Sequence, residues 1–140
     1  MDFDRMVGEL FREEAEARKM ATRLVELGEG EAEGAVAERP SLIAFLRGAM
    51  EKHMHYEEAA IFPRLERRGF GEEVTVATKH HGAVRESADA LEATSAPAEV
   101  AKLVARIGKL LLQHTNFEQD YLYPELTHEE WAELLEETTH

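Results

Sequence analysis

The chain has 140 residues, 44% of them hydrophobic and 32% charged, with a formal net charge of −13, seven histidines and no cysteine. The length suits one domain with a real core, and the missing cysteine excludes disulfides, Cys-type zinc sites and thiol catalysis. The acidic balance disfavours nucleic acid and anionic lipid, and no apolar run approaches the roughly 20 residues that cross a bilayer.

The start, MDFDRMVGELFREE, is acidic where a secretory signal is basic and then apolar, so a cytoplasmic location is expected. Punctuation at residues 28–34, 67–71 and 94–97 separates four long segments of helical composition, at about 2–27, 40–68, 71–93 and 97–126, followed by a short one at about 128–138. The first segment places Phe3, Val7, Leu10, Glu14, Ala17, Ala21 and Leu24 on alternating steps of four and three. The second opens with Pro40, expected as a first-turn proline, and its stripe is Leu42, Leu46, Ala49, His53, Glu57 and Ala60. The third gives Val74, Ala77, His81, Val84, Ala88 and Leu91, and the fourth Leu103, Ile107, Leu110, His114, Phe117 and Tyr121. In the last, Thr127 and Glu130 form the pattern of a capping box, and Trp131 is expected to tuck that helix against the rest. No segment alternates with the period of two that a strand needs. The expected fold is all-α: a single domain spanning residues 1–140, an antiparallel up-down four-helix bundle with a short C-terminal helix.

Each stripe is interrupted near its middle by polar residues: Glu14, His53 with Glu57, His81, and His114 with Glu118. A buried carboxylate or imidazole without a partner costs several kcal/mol, so interruptions at matching depth are expected to meet around something. They also recur. HMHYEEAAIFPRLE from His53 is echoed by HTNFEQDYLYPELT from His114, at an offset of 61, and REEAEARKMATRL from Arg12 by KHHGAVRESADAL from Lys79, at an offset of 67. Glu14 thereby aligns with His81 and Arg18 with Arg85. The chain reads as two related helical hairpins, 1–68 and 71–126, the first with the longer connecting loop.

On a helix, residues four apart share a face. His53 and Glu57 can grip one ion, or the carboxylate can reach a second, and His114 with Glu118 repeats the choice. Two hairpins together supply Glu14, His53, Glu57, His81, His114 and Glu118. Mixed imidazole and carboxylate donors suit iron, manganese or zinc, and several bridging carboxylates favour a pair of iron or manganese ions.

With its two His-x-x-x-Glu phrases, their aromatic-Pro tails and His81 between them, the sequence resembles the hemerythrin-like, or HHE cation-binding, family. The resemblance covers nearly all of residues 3–126. It implies a non-haem di-iron centre with an oxo or hydroxo bridge, in preference to manganese or zinc. Glu57 and Glu118 would bridge, His81 and His114 would cap one ion, and His53 with a first-helix ligand the other. It further implies a small diatomic or peroxide ligand. The family has a histidine where this chain has Glu14. Glu14 can replace it as a hard ligand, Glu13 can serve through a rotated helix, or the position can turn to water.

Other residues are expected to play lesser parts. His80, about 100° around the helix from His81, is assigned outside the ligand set or to the surface, His55, His128 and His140 to solvent. Glu58 is an extra carboxylate within reach. Tyr56 and Phe117 are core packing, with a tyrosine hydroxyl near the metals as the functional alternative, and Met20, Met50 and Met54 fill space. Pro63 and Pro124 end or bend their helices. A redox-active di-iron protein acting on dioxygen, peroxide or nitric oxide is the expected function, with an oxygen- or iron-binding sensor, carrier or store as the alternative. The chain shows no DNA-binding, kinase or methyl-accepting region, so a sensor would need a separate protein partner.

Overall fold

A computed structural model describes residues 3–138, with the side chains of 12–134 and 136. Phe3, Val7, Leu10 and His140 therefore lie outside the described side chains. Among the described residues every element is helical: α1 (Phe3–Glu29), α2 (Ala32–Arg47), α3 (Ala49–Tyr56), a π turn (Glu57–Ile61), α4 (Phe62–Arg67), α5 (Gly71–Ala93), α6 (Pro97–Phe117), a second π turn (Glu118–Leu122), a 3₁₀ turn (Tyr123–Glu125) and α7 (His128–Thr138). None of these helices is long and apolar enough to cross a membrane.

Helix α6 is central, packing against α1, α2 and α5. The contact with α1 is close because small residues face each other there. A Cβ added to Gly108 would lie 2.7 Å from the Ala21 carbonyl oxygen, and one added to Gly28 would lie 2.5 Å from the Ala105 nitrogen. Only hydrogen at these positions lets the two backbones touch. Helix α7 is fixed as its sequence predicts: the Thr127 N–H donates to Glu130 Oε1 at 3.0 Å, and the Glu130 N–H to Thr127 Oγ1 at 3.1 Å. Trp131 is buried beside Leu134 and Tyr123.

Three expectations about the elements need correction. The first hairpin has no longer loop: only Gly30 and Glu31 separate α1 from α2, and the extra residues are helical. Pro40 consequently sits inside α2, not in its first turn. The motif helix is also not one continuous stripe. It bends at Gly48 and widens at Glu57–Ile61, so Met50 and Ile61 are buried while Ala49 is exposed. On α6 the buried face is Val100, Val104, Ile107 and Leu111, with Leu103 and Leu110 at its edge and Tyr121 exposed. A helix packed on three neighbours buries a wide stripe, and a 3.5-residue seam marks only one edge of it.

Each π turn starts at the glutamate of a motif and closes just before its proline. The Phe62 N–H bonds the Glu57 carbonyl, and the Tyr123 N–H bonds the Glu118 carbonyl. Pro63 and Pro124 lack the N–H that continues an α-ladder, and their rings crowd the carbonyl four residues back. A wider turn there relieves the clash, and such turns occur often at functional sites.

The core divides in two. One cluster, including Leu24, Leu42, Leu46, Leu91 and Ile107, lies on one side of the motif residues, and another, including Ile61, Phe62, Leu65, Leu122 and Leu134, on the other. Each fully buried leucine or isoleucine contributes about 1.5–3 kcal/mol. The polar residues between these clusters are thus held by apolar packing on both sides.

Candidate metal centre

The structure brings together all of the six residues singled out as ligands. Glu14, Glu57, His81, His114 and Glu118 are at most 1% exposed and His53 is 8% exposed, so solvent meets the cluster chiefly at His53. Their donor atoms form two overlapping groups: Glu57, His81, His114 and Glu118, and Glu14, His53, Glu57 and Glu118. Within each group the ligand atoms lie within 4.8 Å of one another. Glu57 and Glu118 belong to both.

The distances show how the groups join. Glu57 Oε1 is 3.2 Å from His81 Nε2, 3.6 Å from His53 Nε2 and 3.8 Å from His114 Nε2. His114 Nε2 lies 2.9 Å from Glu118 Oε1 and 3.1 Å from His81 Nε2. His53 Nε2 lies 3.0 Å from Glu14 Oε1. Glu14 is therefore turned into the cluster and not to water, and Glu13 is turned elsewhere.

Glu13 faces the other nitrogen of His53, with Oε2 2.9 Å from Nδ1. Glu58 does the same for His81, at 2.7 Å from Nδ1, and is itself gripped by Arg85 through bonds of 2.8 and 3.0 Å. His80 faces His114 Nδ1 at 3.3 Å, so it is no surface residue. Each histidine of the cluster thus has its Nδ1 engaged and its Nε2 aimed inward, the arrangement that fixes a ligating tautomer. Residues aligned by the repeat make corresponding contacts: Glu13 and His80 back His53 and His114, and Arg18 donates to Gln119 at 2.5 Å as Arg85 does to Glu58.

Charge follows this wiring. Burial works against a charge on His53, but hydrogen bonds to Glu13 and Glu14 and the nearby Glu57 outweigh it and raise its pKa to about 10. Burial likewise opposes ionised Glu57, yet His114, His81 and His53 lower it to about 2. Glu58 is held below the ordinary range because Arg85 and His81 overcome its partial burial. Burial, then the charges of His114 and His81, push His80 down, which leaves it neutral and able to accept the His114 Nδ1–H.

Tyr123 is the residue the sequence did not reveal. Its hydroxyl donates to Glu57 Oε2 at 2.7 Å and lies 3.1 Å from Glu14 Oε1. Burial, then Glu57 and Glu14, keep it protonated. A tyrosine hydroxyl does reach the cluster, and it is that of Tyr123. The available signal was the tail of the second phrase, where Tyr123 stands opposite Phe62 of the first.

The donor set fits cations. Glu14 Oε2 and both side-chain oxygens of Glu118 are buried without a hydrogen-bond partner. Leaving a buried acceptor unsatisfied costs about 1–3 kcal/mol, more for a charged group, unless a cation meets it. The hemerythrin HHE cation-binding domain matches residues 5–126. The chain belongs to the hemerythrin HHE cation-binding family. The match to this hemerythrin domain takes in all six residues of the cluster, and α7 lies beyond it. No curated protein and no solved structure matches the chain at a significant level.

Proposed function

We propose that the chain is a single-domain, antiparallel up-down four-helix bundle that holds two iron ions and uses them on dioxygen, peroxide or nitric oxide. The observation that carries this is the sharing of Glu57 and Glu118 by two four-residue donor groups. Shared carboxylates between imidazole-capped positions suit a pair of redox-active ions better than one closed zinc site. His81 and His114 would hold one ion, Glu14 and His53 the other, with Glu57 and Glu118 bridging. Such a pair, when bound, supplies the electrons that reduce or reversibly bind a small oxidant.

The chain's own residues do the rest. Glu13, Glu58 and His80 orient the imidazoles. Tyr123 donates to Glu57 and packs its hydroxyl against Glu14. A cavity of about 50 Å³ reaches Glu14 and His53 between walls that include Ala17, Phe45 and Met50. That volume accommodates a molecule of two heavy atoms, and water's share of liquid volume is about 30 Å³. Glu13 and Glu16 at its rim repel anions. Three carboxylates around the ions favour the oxidised state, which fits turnover or detoxification better than reversible carriage. The near-complete burial of the donors disfavours storage, in which ions must leave. The net charge of −13 fits a cytoplasmic protein that engages neither nucleic acid nor anionic lipid.

Metal analysis of protein purified without added metal tests this, and two irons for each chain are expected. Zinc alone, or no metal, would sink the redox reading. Given iron, mixing the reduced protein with peroxide or nitric oxide should change its optical spectrum, and an inert spectrum would leave only a binding role.

A further inference from the structure

The two donor groups differ in their access to solvent. His81 and His114 are fully buried, whereas His53 is 8% exposed and lines, with Glu14, the cavity of about 50 Å³ between α1, α2, α3 and α6. Along that cavity the stretch REEAEA places three carboxylates at increasing depth. Glu16 is exposed, the Glu13 side chain is half exposed with Oε2 against His53 Nδ1, and Glu14 is buried. Glu14 Oε2 has no hydrogen-bond partner at that depth. Glu13 already has a task in orienting His53. Glu16 does not: among the described residues it holds no ion pair, so its charge acts on whatever approaches the mouth. The remaining walls include the carbon side chains of Ala17, Phe45 and Ala49, which offer a cation no competing donor. An anion meets repulsion on such a path, and a neutral molecule gains nothing from the carboxylates.

We propose that this cavity is the entrance through which divalent cations load the cluster, Glu16 and Glu13 gathering the ion at the mouth and Glu14 receiving it inside. The proposal rests on the two-ion reading above. The cavity has room for an ion with one or two waters, since water's share of liquid volume is about 30 Å³. The ion therefore sheds most of its hydration shell at the mouth, where carboxylate oxygens take the place of the lost waters. From Glu14 and His53 the way inward leads over Glu57 and Glu118, which belong to both donor groups, to the buried His81 and His114. One entrance thus serves both ions, and the deeper group fills through the outer one.

The test uses the metal-free full chain and Co(II) alone. Capture is followed by the visible absorbance the ion gains with imidazole and carboxylate ligands, and release by loss of that absorbance to excess chelator. Glu16→Gln should slow capture about fourfold at low salt, the scale of one charge acting on a divalent ion across about 10 Å of water. The difference should shrink as salt is added. Glu99→Gln is the control, sixteen residues from Thr115 of the cavity wall along α6 and so about 24 Å away, and it should capture as wild type does. Ala49 is exposed at the cavity's outer end, so Ala49→Leu should obstruct it and slow capture and release of both ions by one common factor, with affinity unchanged. Phe45→Ala should widen it and speed both. Opposite changes in rate at constant affinity mark a passage, because a merely loosened fold changes the affinity. Wild-type rates in Ala49→Leu, or slowing of one ion alone, overturn the single entrance while leaving the metal site intact. A chain that takes up no Co(II) overturns the two-ion reading and the entrance with it.

Discussion

His81 Nδ1 sits 2.7 Å from Glu58 Oε2, and this contact decides which nitrogen of His81 faces the cluster. It turns Nε2 toward Glu57 and His114, at 3.2 and 3.1 Å. Arg85 holds Glu58 in place from the far side. Glu58→Ala should weaken metal binding by roughly 10–100-fold, the usual scale for removing such an orienting group. The ion nearest His81 should leave first in a chelator titration. Arg85→Ala, which leaves the carboxylate in place, should cost less. Equal affinities for Glu58→Ala and wild type would mean that His81 needs no support.

Glu57→Ala and Glu118→Ala should each release both ions together, because each carboxylate belongs to both donor groups. Elemental analysis after gel filtration reads the stoichiometry. A single ion retained in both variants would point to two independent sites.

The sequence exposed the cluster because buried polar residues interrupt an apolar stripe, and all six interruptions lie together in the structure. Periodicity worked best on α5, where Val74, Ala77, His81, Val84, Ala88 and Leu91 are all buried. It failed where backbone geometry departs from a regular α-helix. Gly48 and the two π turns shift the register of the motif helices, and no stripe drawn at 3.5 residues anticipates them. Tyr123 was hidden for that reason: its place in the cluster depends on the turn before Pro124. His80, 100° from His81 on its helix, stays outside the donor groups and of its two expected places takes the supporting one, at the outer nitrogen of His114 on a different helix.

Metal uptake should release protons. In the metal-free protein His53 is raised to about 10, so at neutral pH it carries both ring protons and donates to Glu13 and Glu14. A metal at Nε2 must displace one of them. Apparent affinity should therefore rise with pH toward 10, and calorimetry in buffers of different ionisation enthalpy should show net proton release. The sign for stability is opposite. A group raised from 6.5 to about 10 stabilises the metal-free fold fully below 6.5 and loses that contribution as pH climbs through 10. Binding without proton release would mean that His53 is not a ligand.

Gly108→Ala should destabilise the protein although it changes no polar group. The added methyl would meet the Ala21 carbonyl at 2.7 Å and the Val25 nitrogen at 2.9 Å, both backbone atoms that cannot rotate away. Overpacking of this kind costs typically about 1–3 kcal/mol. Gly82→Ala is the control, since nothing lies within 4 Å of a Cβ there. Urea denaturation of the two variants should separate them, and equal midpoints would show that α1 and α6 can part at little cost.

Glu14→His should move the centre toward its family's pattern and change its chemistry. Glu14 Oε1 lies 3.1 Å from the Tyr123 hydroxyl and 3.0 Å from His53 Nε2, so its carboxyl group is turned into the cluster. An anionic oxygen stabilises an oxidised ion more than neutral imidazole does, so the ion shared with His53 should be the harder of the two to reduce. Replacing that oxygen by imidazole should raise its potential and lengthen the life of any oxygen adduct. The surroundings are prepared for the exchange, because Arg18 holds Gln119 as Arg85 holds Glu58, and Gln119 is the repeat counterpart of the group that supports His81. Glu14→Ala should instead weaken the same ion selectively, with water filling the gap. Metal content and reduction potential of wild type and both variants, measured under one set of conditions, decide the matter. If all three behave alike, Glu14 is a buried bystander and the first helix contributes no ligand.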